Sequence, residues 1–255
     1  MGLLDGKKAL VFGVANNKSI AYAIAKRFIA EGAEVAFSYA GEKLLSRVEK
    51  VSNELGGKFL VPCDVTSDEE IEKCFETVKE EWGTFDILIH SVAYAPGEAL
   101  KGRYIDTQRD HFAMALDISA FSLVAMAKAA EPLMNDGGSI ICMSYLGAER
   151  VIKNYNVMGV AKAALESSTQ YLAYDLGDRK IKVNAISAGP IKTLAAAGIS
   201  DFKKIFNHIA ENAPLRDNCT QDDVANTATY LACDLSSAVT GEVIHVDCGY
   251  SIMGL

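Results

Sequence analysis

A tyrosine and a lysine seven positions apart, Tyr155 and Lys162, are the residues of this chain whose types and spacing best suit chemistry. Seven residues are close to two helical turns, so both side chains project from one helix face. A tyrosine hydroxyl can donate to an oxygen that gains negative charge during hydride transfer, and a lysine can hold a nucleotide ribose. The same pair also fits an interfacial tyrosine and a lysine packed along a surface. The elements around the pair must therefore decide between these interpretations.

Short, β-branched apolar segments alternate with helical patterns along the 255 residues. The predicted strands are 8–12, 34–38, 58–61, 86–90, 139–143, 181–187 and 242–246. The predicted helices are 19–31, 42–55, 68–82, 107–134, 156–176 and 221–235. Strands separated by helices form parallel sheets through right-handed crossovers. The pattern predicts one α/β domain over residues 1–255, doubly wound and Rossmann-type, with a seven-stranded parallel sheet and helices on both faces. Ligands of such folds bind beyond the carboxyl ends of the strands.

The first strand is followed by a turn that could hold a dinucleotide. Gly13 ends the strand, and Ser19 and Ile20 begin the next helix. A helix N-terminus offers free N–H groups and a partial positive charge to a pyrophosphate, and Ser19 suits the N-cap position. The segment is not a GxGxxG motif, because Gly13 is its single glycine. By itself it fits a capped helix after a tight turn equally well.

Other strand ends carry residues of the same kind. Asp64 and Val65 follow the third strand, where a carboxylate and an N–H group could hold an adenine. Ser91 and Ala93 follow the fourth strand and are small enough for the chain to approach a ribose closely. Each position alone also fits a turn or helix–sheet packing. Their coincidence at the carboxyl edge of one sheet favours a cofactor site.

The sixth strand ends in a turn that could cover the cofactor. Gly189 and Pro190 reverse the chain, and Ile191 and Thr193 offer an N–H and a hydroxyl to the carboxamide and phosphate. The second strand ends at Phe37–Gly41 without the acid that usually binds a ribose and without an arginine for a 2′-phosphate. We therefore expect NADH as the cofactor, with NADPH as the alternative.

These segments resemble the enoyl-acyl-carrier-protein reductases, a divergent branch of the short-chain dehydrogenase/reductase superfamily. The resemblance covers essentially the whole chain. It is strongest at residues 13–21, 91–96, 145–162 and 187–195. Tyr-x6-Lys is its most specific feature, because ketoreductases of the superfamily use Tyr-x3-Lys and Gly159 stands at that position here.

The resemblance implies reduction of the trans-2 C=C bond of an enoyl thioester carried by acyl carrier protein, in fatty-acid elongation. Tyr155 would stabilise the enolate oxygen, Lys162 would bind the cofactor, and Tyr145 would line the substrate site. A carbonyl reductase of the 3-oxoacyl type and a non-catalytic dinucleotide sensor remain as alternatives. The family is usually a homotetramer, so we expect an oligomer.

Residues 192–211 are predicted to form a substrate-binding lid. Ala195, Ala196 and Ile199 lie in a small, apolar stretch after the Gly-Pro turn. Such a stretch could close over an acyl chain and exclude water. Ala95, Met158 and Phe202 are expected to complete an apolar tunnel mouth. An ordinary short helix packed on the domain is the alternative. Tyr94 departs from the family pattern, in which phenylalanine is common.

Composition narrows the partners and the location. The net charge is −8 and no basic stripe follows a predicted helix, so nucleic acid is not expected. No signal-type N-terminus and no apolar run of about 18 residues is present, so no membrane is expected. The six cysteines form no CxxC pair and are expected to be free thiols in the cytoplasm. The four histidines lack ligand spacing, so no metal is expected.

Overall fold

A computed structural model describes residues 2–194, 196 and 202–254, with only the backbone of Phe202. Its strands form one parallel sheet in the order β3-β2-β1-β4-β5-β6-β7. They are β1 Lys8–Phe12, β2 Glu34–Tyr39, β3 Leu60–Pro62, β4 Phe85–His90, β5 Met134–Ser144, β6 Lys182–Ala188 and β7 Val243–Val246. The predicted doubly wound, seven-stranded sheet is confirmed. Strand order reverses between β1 and β4, which is where such folds bind ligands.

Helices cover both faces of this sheet. They are α1 Ile20–Ala30, α2 Glu42–Leu55, α3 Asp68–Trp82, α4 Arg109–Leu116, α5 Ser122–Ala130, α6 Asn156–Asp175, α7 Phe202–Asn212 and α8 Gln221–Ala232. One apolar core joins the sheet to α1 and α8, through Phe28 and Leu231 among others. A second core joins the opposite face to α3, α5 and α6, through Phe75, Leu123 and Leu165. The apolar stripes of the helices therefore fix which face each helix covers.

The long helical region predicted over roughly 107–134 is confirmed as the run Arg109–Leu133, but this run is not a uniform α-helix. A π-helical turn at Asp117–Phe121 separates α4 from α5, and β5 begins at Met134. Pro132 lies in the 3-10 turn after α5, where its missing N–H and its ring oppose a continuing helix. In the π turn, the Ser119 hydroxyl binds both the N–H and the carbonyl of Tyr94, at 3.0 and 3.1 Å. The irregular turn thus tethers the loop after β4.

The helical run Arg109–Leu133 is long and apolar enough to cross a membrane by length and composition, with a mean hydropathy of 1.5. The expectation of no membrane span rested on the absence of a long uninterrupted apolar run, and polar residues interrupt this helix. Leu123, Met126 and Ala127 within it are buried in the core of the sheet. Core packing accounts for that part of its apolar composition.

The chain leaves β1 at Gly13, which touches the loop after β4. Gly13 has φ +93°, and a Cβ there would lie 2.0 Å from the Ser91 carbonyl oxygen. We expect Gly13→Ala to lower the free energy of unfolding by about 2–3 kcal/mol, through backbone strain and this clash. Gly56→Ala is the matched control, because Gly56 has φ +78° and nothing within 4 Å of a Cβ. Urea unfolding measures the loss of unfolding free energy in each variant. Equal losses would mean that the clash with the Ser91 carbonyl contributes nothing.

Candidate active site

A cavity of about 770 Å³ opens at the carboxyl ends of the strands. Its size is that of a site for a cofactor or a drug-sized ligand. Every predicted site residue whose side chain the structure describes lines it: Gly13, Ser19, Ile20, Asp64, Val65, Ser91, Ala93, Ala95, Tyr145, Tyr155, Met158, Lys162, Gly189, Pro190, Ile191, Thr193 and Ala196. The predicted Ala195 and Ile199 lie outside the described residues, as does the side chain of Phe202.

Ser19 occupies the N-cap position of α1, but its hydroxyl does not cap the helix as the sequence suggested. The hydroxyl instead accepts from the N–H groups of Ala15 and Asn16, at 3.0 and 3.2 Å. It therefore closes the turn after β1 and leaves the first N–H groups of α1 without a side-chain cap. The first turn of α1 also contains no acidic residue. Both features fit a bound phosphate, which needs free N–H groups and no competing negative charge.

Asp64 builds the turn after β3. Its Oδ1 accepts from the N–H and the hydroxyl of Thr66, at 3.0 and 2.8 Å, and its own N–H donates to Glu70 at 2.7 Å. The carboxylate thus fixes the loop that brings Val65 to the cavity. Asp64 has this local structural role whether or not it also binds a ligand.

Tyr155 immediately precedes α6 and is buried. Its ring meets the Tyr145 ring edge-on, with centroids 5.0 Å apart. Two glycines make room for it: a Cβ on Gly147 would lie 2.3 Å from the Tyr155 ring, and one on Gly159 would lie 2.6 Å from the Gly147 carbonyl oxygen. Close packing against Gly147 therefore explains why a glycine, Gly159, stands at the Tyr-x3-Lys position.

Burial raises the pKa of both tyrosines. The pKa of Tyr145 rises to about 12, and that of Tyr155 rises well above its ordinary value, also because Tyr145 and Glu166 lie nearby. Both phenols are consequently protonated at neutral pH. A protonated phenol in a site shielded from water is a good hydrogen-bond donor to a developing oxyanion.

Lys162 is buried on α6, two turns beyond Tyr155. Its ammonium donates to the Met143 carbonyl at the end of β5, at 2.7 Å. Burial lowers its pKa to about 8, against the raising effects of Cys142 and Glu166. The lysine is therefore held at the cavity wall, mostly charged at pH 7, and can donate to further oxygens.

The apolar end of the cavity is built around Tyr155. Met158 and Ala161 pack with Tyr155, and Ala95 packs against this cluster, as the predicted tunnel mouth requires. Tyr94 also lines the cavity and is half exposed. Its phenol thus adds a polar group to this part of the cavity wall.

The chain after β6 forms the remaining wall. The Gly189 N–H donates to the Val246 carbonyl at 2.8 Å, which ties the Gly-Pro turn to β7. The Thr193 hydroxyl accepts from the Ala196 N–H at 3.1 Å. The Lys192 ammonium lies 4.1 Å from the centre of the Phe206 ring on α7, a cation–π contact. The start of the predicted lid is thus in contact with α7.

Sequence reasoning missed several apolar residues of the cavity: Leu44, Leu100, Ile118, Ile152 and Ile205. Ile118 belongs to the π turn, which no periodicity indicated. Leu100 and Ile152 lie in loops, where an apolar side chain gives no pattern. Ile205 follows the small apolar stretch and could have been found as part of the amphipathic α7. No group of three or more potential metal ligands occurs among the residues described.

The sheet order, the cavity at the strand reversal and the uncapped α1 place the protein among dinucleotide-binding α/β proteins. A sequence model of the enoyl-(acyl carrier protein) reductases matches residues 13–251. An enoyl-[acyl-carrier-protein] reductase [NADH] of Bacillus cereus is 53% identical over 100% of both chains. One from Aquifex aeolicus is 50% identical over 100% of this chain and 95% of its own. The chain belongs to the enoyl-(acyl carrier protein) reductase family.

Solved structures agree. The Bacillus cereus enoyl-acyl carrier protein reductase with NADP+ and an indole naphthyridinone has a TM-score of 0.98 at 53% identity, over 100% of both chains. The Anaplasma phagocytophilum reductase in complex with NAD has a TM-score of 0.95 at 49% identity, over 100% of this chain and 95% of its own. The chain therefore has the fold of these two reductases, each of which was crystallised with a nicotinamide dinucleotide.

Proposed function

We propose that this protein reduces the trans-2 C=C bond of an enoyl thioester on acyl carrier protein, with NADH as the reductant. The observation that carries the proposal is the buried Tyr155–Lys162 pair in the wall of the cavity at the carboxyl ends of the strands. The curated relatives compared above carry the same activity in their names.

The residues present fit a bound dinucleotide. The uncapped N-terminus of α1 suits the pyrophosphate, and Gly13 allows close approach of backbone. Lys162 would hold the ribose hydroxyls next to the nicotinamide. Ile191 and Thr193, which follow the Gly-Pro turn after β6, would contact the carboxamide and the phosphate. When bound, NADH supplies the hydride for the β-carbon of the enoyl group.

The chain's own part in the reaction is to stabilise charge. As the β-carbon gains a hydride, negative charge moves onto the thioester oxygen as an enolate. The Tyr155 hydroxyl would donate to that oxygen, and the apolar wall around Met158 would exclude water. Protonation at the α-carbon completes the reduction. Tyr145, edge-on to Tyr155, would limit where the thioester can lie.

A substrate comparison tests the proposal. We expect NADH-dependent turnover of a crotonyl thioester and little turnover of an acetoacetyl thioester. Turnover of only the keto substrate would establish a carbonyl reductase instead. NADH binding without turnover of either would indicate a dinucleotide sensor.

The end of β2 sets the choice between NADH and NADPH. Tyr39, Ala40 and Leu44 line the cavity there, and none of the lysines or arginines described between β2 and β3 does so. We expect Ala40→Arg to raise kcat/KM for NADPH about tenfold, since an arginine at this place can pair with a 2′-phosphate. Ala40→Gln, of similar reach without charge, is the control. Equal gains in both variants, or none in the arginine variant, would show that Ala40 does not face the 2′ position.

Residues 1–255 are proposed to be one dinucleotide-binding and catalytic domain, with 192–211 as a substrate lid. Leu194, Ala196 and Ile205 line the cavity from this segment, which supports the lid. Slower tryptic cleavage at Lys203 and Lys204 with NADH and an enoyl thioester than with NADH alone would support closure on the substrate. Unchanged cleavage would favour a helix that only packs on the domain.

A homotetramer in the cytoplasm is proposed for the assembly and location. Large apolar side chains are exposed on α6 and in the neighbouring π turn, as would suit an interface: Phe121, Tyr171 and Tyr174. The six cysteines are free thiols in the structure, as suits a reducing compartment. Light scattering of the purified protein tests the mass of the assembly.

A further inference from the structure

One side chain joins the N-terminus of α8 to that of α1. The side-chain amide of Gln221, the first residue of α8, donates to the Ser19 carbonyl at 2.9 Å, although the two residues are 202 positions apart in sequence. Ser19 is the N-cap residue of α1, so this carbonyl belongs to the peptide group that opens the helix. The start of α8 is therefore in direct contact with the turn that leads from β1 into α1.

Local contacts hold Gln221 in place. Thr220, the N-cap of α8, accepts from the Asp223 N–H at 3.2 Å, and the Asp223 carboxylate accepts from the Thr220 N–H at 2.8 Å, which completes a capping box. Two residues before Gln221, the buried Cys219 packs against the Gly-Pro turn, since a Cβ on Gly189 would lie 3.1 Å from its sulfur. This short segment therefore joins the turn after β1 to the turn after β6.

The Ser19 carbonyl and the Ile20 N–H belong to one peptide group. The group is planar and trans, so its carbonyl and its N–H point in opposite directions. The carbonyl points into α1, where it also accepts from the Tyr22 N–H at 3.1 Å. The Ile20 N–H consequently points out of the helix N-terminus, toward the place proposed for the pyrophosphate. Ser19 and Ile20 line the cavity, whereas Gln221 does not.

A hydrogen bond to a peptide carbonyl acts on the N–H of the same peptide in two ways. It holds the plane of the peptide group, and with it the direction of the N–H. It also polarises the group, because successive hydrogen bonds strengthen one another, so the N–H becomes a better donor. Gln221 supplies such a bond from behind the cavity wall.

We infer that Gln221 is a positioning residue for the dinucleotide, because its amide fixes the Ser19–Ile20 peptide for donation from the Ile20 N–H to the pyrophosphate. The inference rests on the proposed function, in which NADH binds with its pyrophosphate at the N-terminus of α1. Gln221 acts through this one peptide group and touches neither cofactor nor substrate. Its effect is therefore confined to ligands that contain the pyrophosphate.

Gln221→Met tests the inference, because methionine keeps the length of the side chain and removes the donor. We expect the Kd for NADH, measured by fluorescence titration, to rise about 3–10-fold, as for the loss of one ordinary hydrogen bond. Gln108→Met is the matched control. The Gln108 amide also donates to a backbone carbonyl, that of Asp106 at 3.2 Å, but at an exposed position away from the cavity lining. Gln108→Met should bind NADH like the wild type.

Two fragments of the cofactor separate positioning of the pyrophosphate from a general loosening of the site. ADP contains the adenosine and both phosphates, whereas adenosine contains no phosphate. In competition with NADH, Gln221→Met should weaken the binding of ADP by the same factor as that of NADH and should leave the binding of adenosine unchanged. A purely structural role for Gln221 would weaken the binding of both fragments or of neither.

Gln221→Ala is the second variant, and it should fold because alanine is the most favourable residue in a helix. It also removes the donor without adding charge, so it should weaken NADH and ADP binding as Gln221→Met does. The inference is refuted if both Gln221 variants bind NADH like Gln108→Met, or if adenosine loses as much affinity as ADP. A wild-type protein that binds NADH but does not reduce crotonyl thioester would instead refute the proposed reaction, while the losses in NADH and ADP binding would still support the role of Gln221.

Discussion

Replacing Tyr155 by phenylalanine is expected to lower kcat on the order of 10²–10³-fold, the loss typical of one donor to a developing oxyanion. The variant removes only the hydroxyl, so the ring still fills the space beside Gly147 and packs edge-on against Tyr145. The Kd for NADH, measured by fluorescence titration, should therefore stay nearly constant. An effect on kcat without an effect on Kd is what separates a donor in the transition state from a residue that shapes the cofactor site.

Tyr22→Phe is the matched control for this change. Tyr22 lies on α1 and its hydroxyl donates to Glu54 at 2.8 Å, away from the cavity lining. Removing that hydroxyl should leave kcat unaltered. Turnover by Tyr155→Phe at the level of Tyr22→Phe would refute the donor role and would direct attention to Tyr145.

Replacing Lys162 by methionine should weaken NADH binding about 10–100-fold, as expected for loss of one or two charge-assisted hydrogen bonds. Methionine fills the space of the lysine stem without carrying a charge into the buried site. Lys50→Met, on an exposed position of α2, is the control and should bind NADH like the wild type. An unchanged Kd for NADH in Lys162→Met would show that Lys162 does not bind the cofactor.

The same variant should gain stability at pH 7. Burial lowers the pKa of Lys162 from 10.5 to about 8. Below pH 8 the buried ammonium therefore lowers the free energy of unfolding by roughly 3 kcal/mol. This penalty declines as pH rises from about 8 to 10.5 and is absent above, because the amine is then neutral in both states. The advantage of Lys162→Met over the wild type in urea unfolding should therefore shrink across that range. A constant difference would mean that the lysine is not desolvated.

The same residue also determines how cofactor binding depends on pH. Because the ammonium loses its proton above about pH 8, the Kd of the wild type for NADH should rise through that pH. Lys162→Met should show no such rise. A wild-type Kd that stays constant up to pH 10 would show that the charge of Lys162 does not contribute to NADH binding.

The chain order of strands and helices could be predicted from sequence because each element carries its own periodicity. α2 and α3 begin and end at the predicted residues, Glu42–Leu55 and Asp68–Trp82. Their apolar stripes, their glycine C-caps at Gly56 and Gly83 and the Ser67 cap of α3 are all local signals. The π turn in the predicted 107–134 helix has no such signal, because it is stabilised by the distant Tyr94 backbone.

The candidate site divides in the same way. Sequence determined the residue types at the strand ends and the seven-residue spacing of Tyr155 and Lys162, since parallel strands bring their carboxyl ends to one edge. Only the tertiary structure decided that Gly13 lies against Ser91. It also decided that Ser187 stands between Ser144 and His245. These contacts depend on strand register and on close approach between loops, which no local pattern encodes.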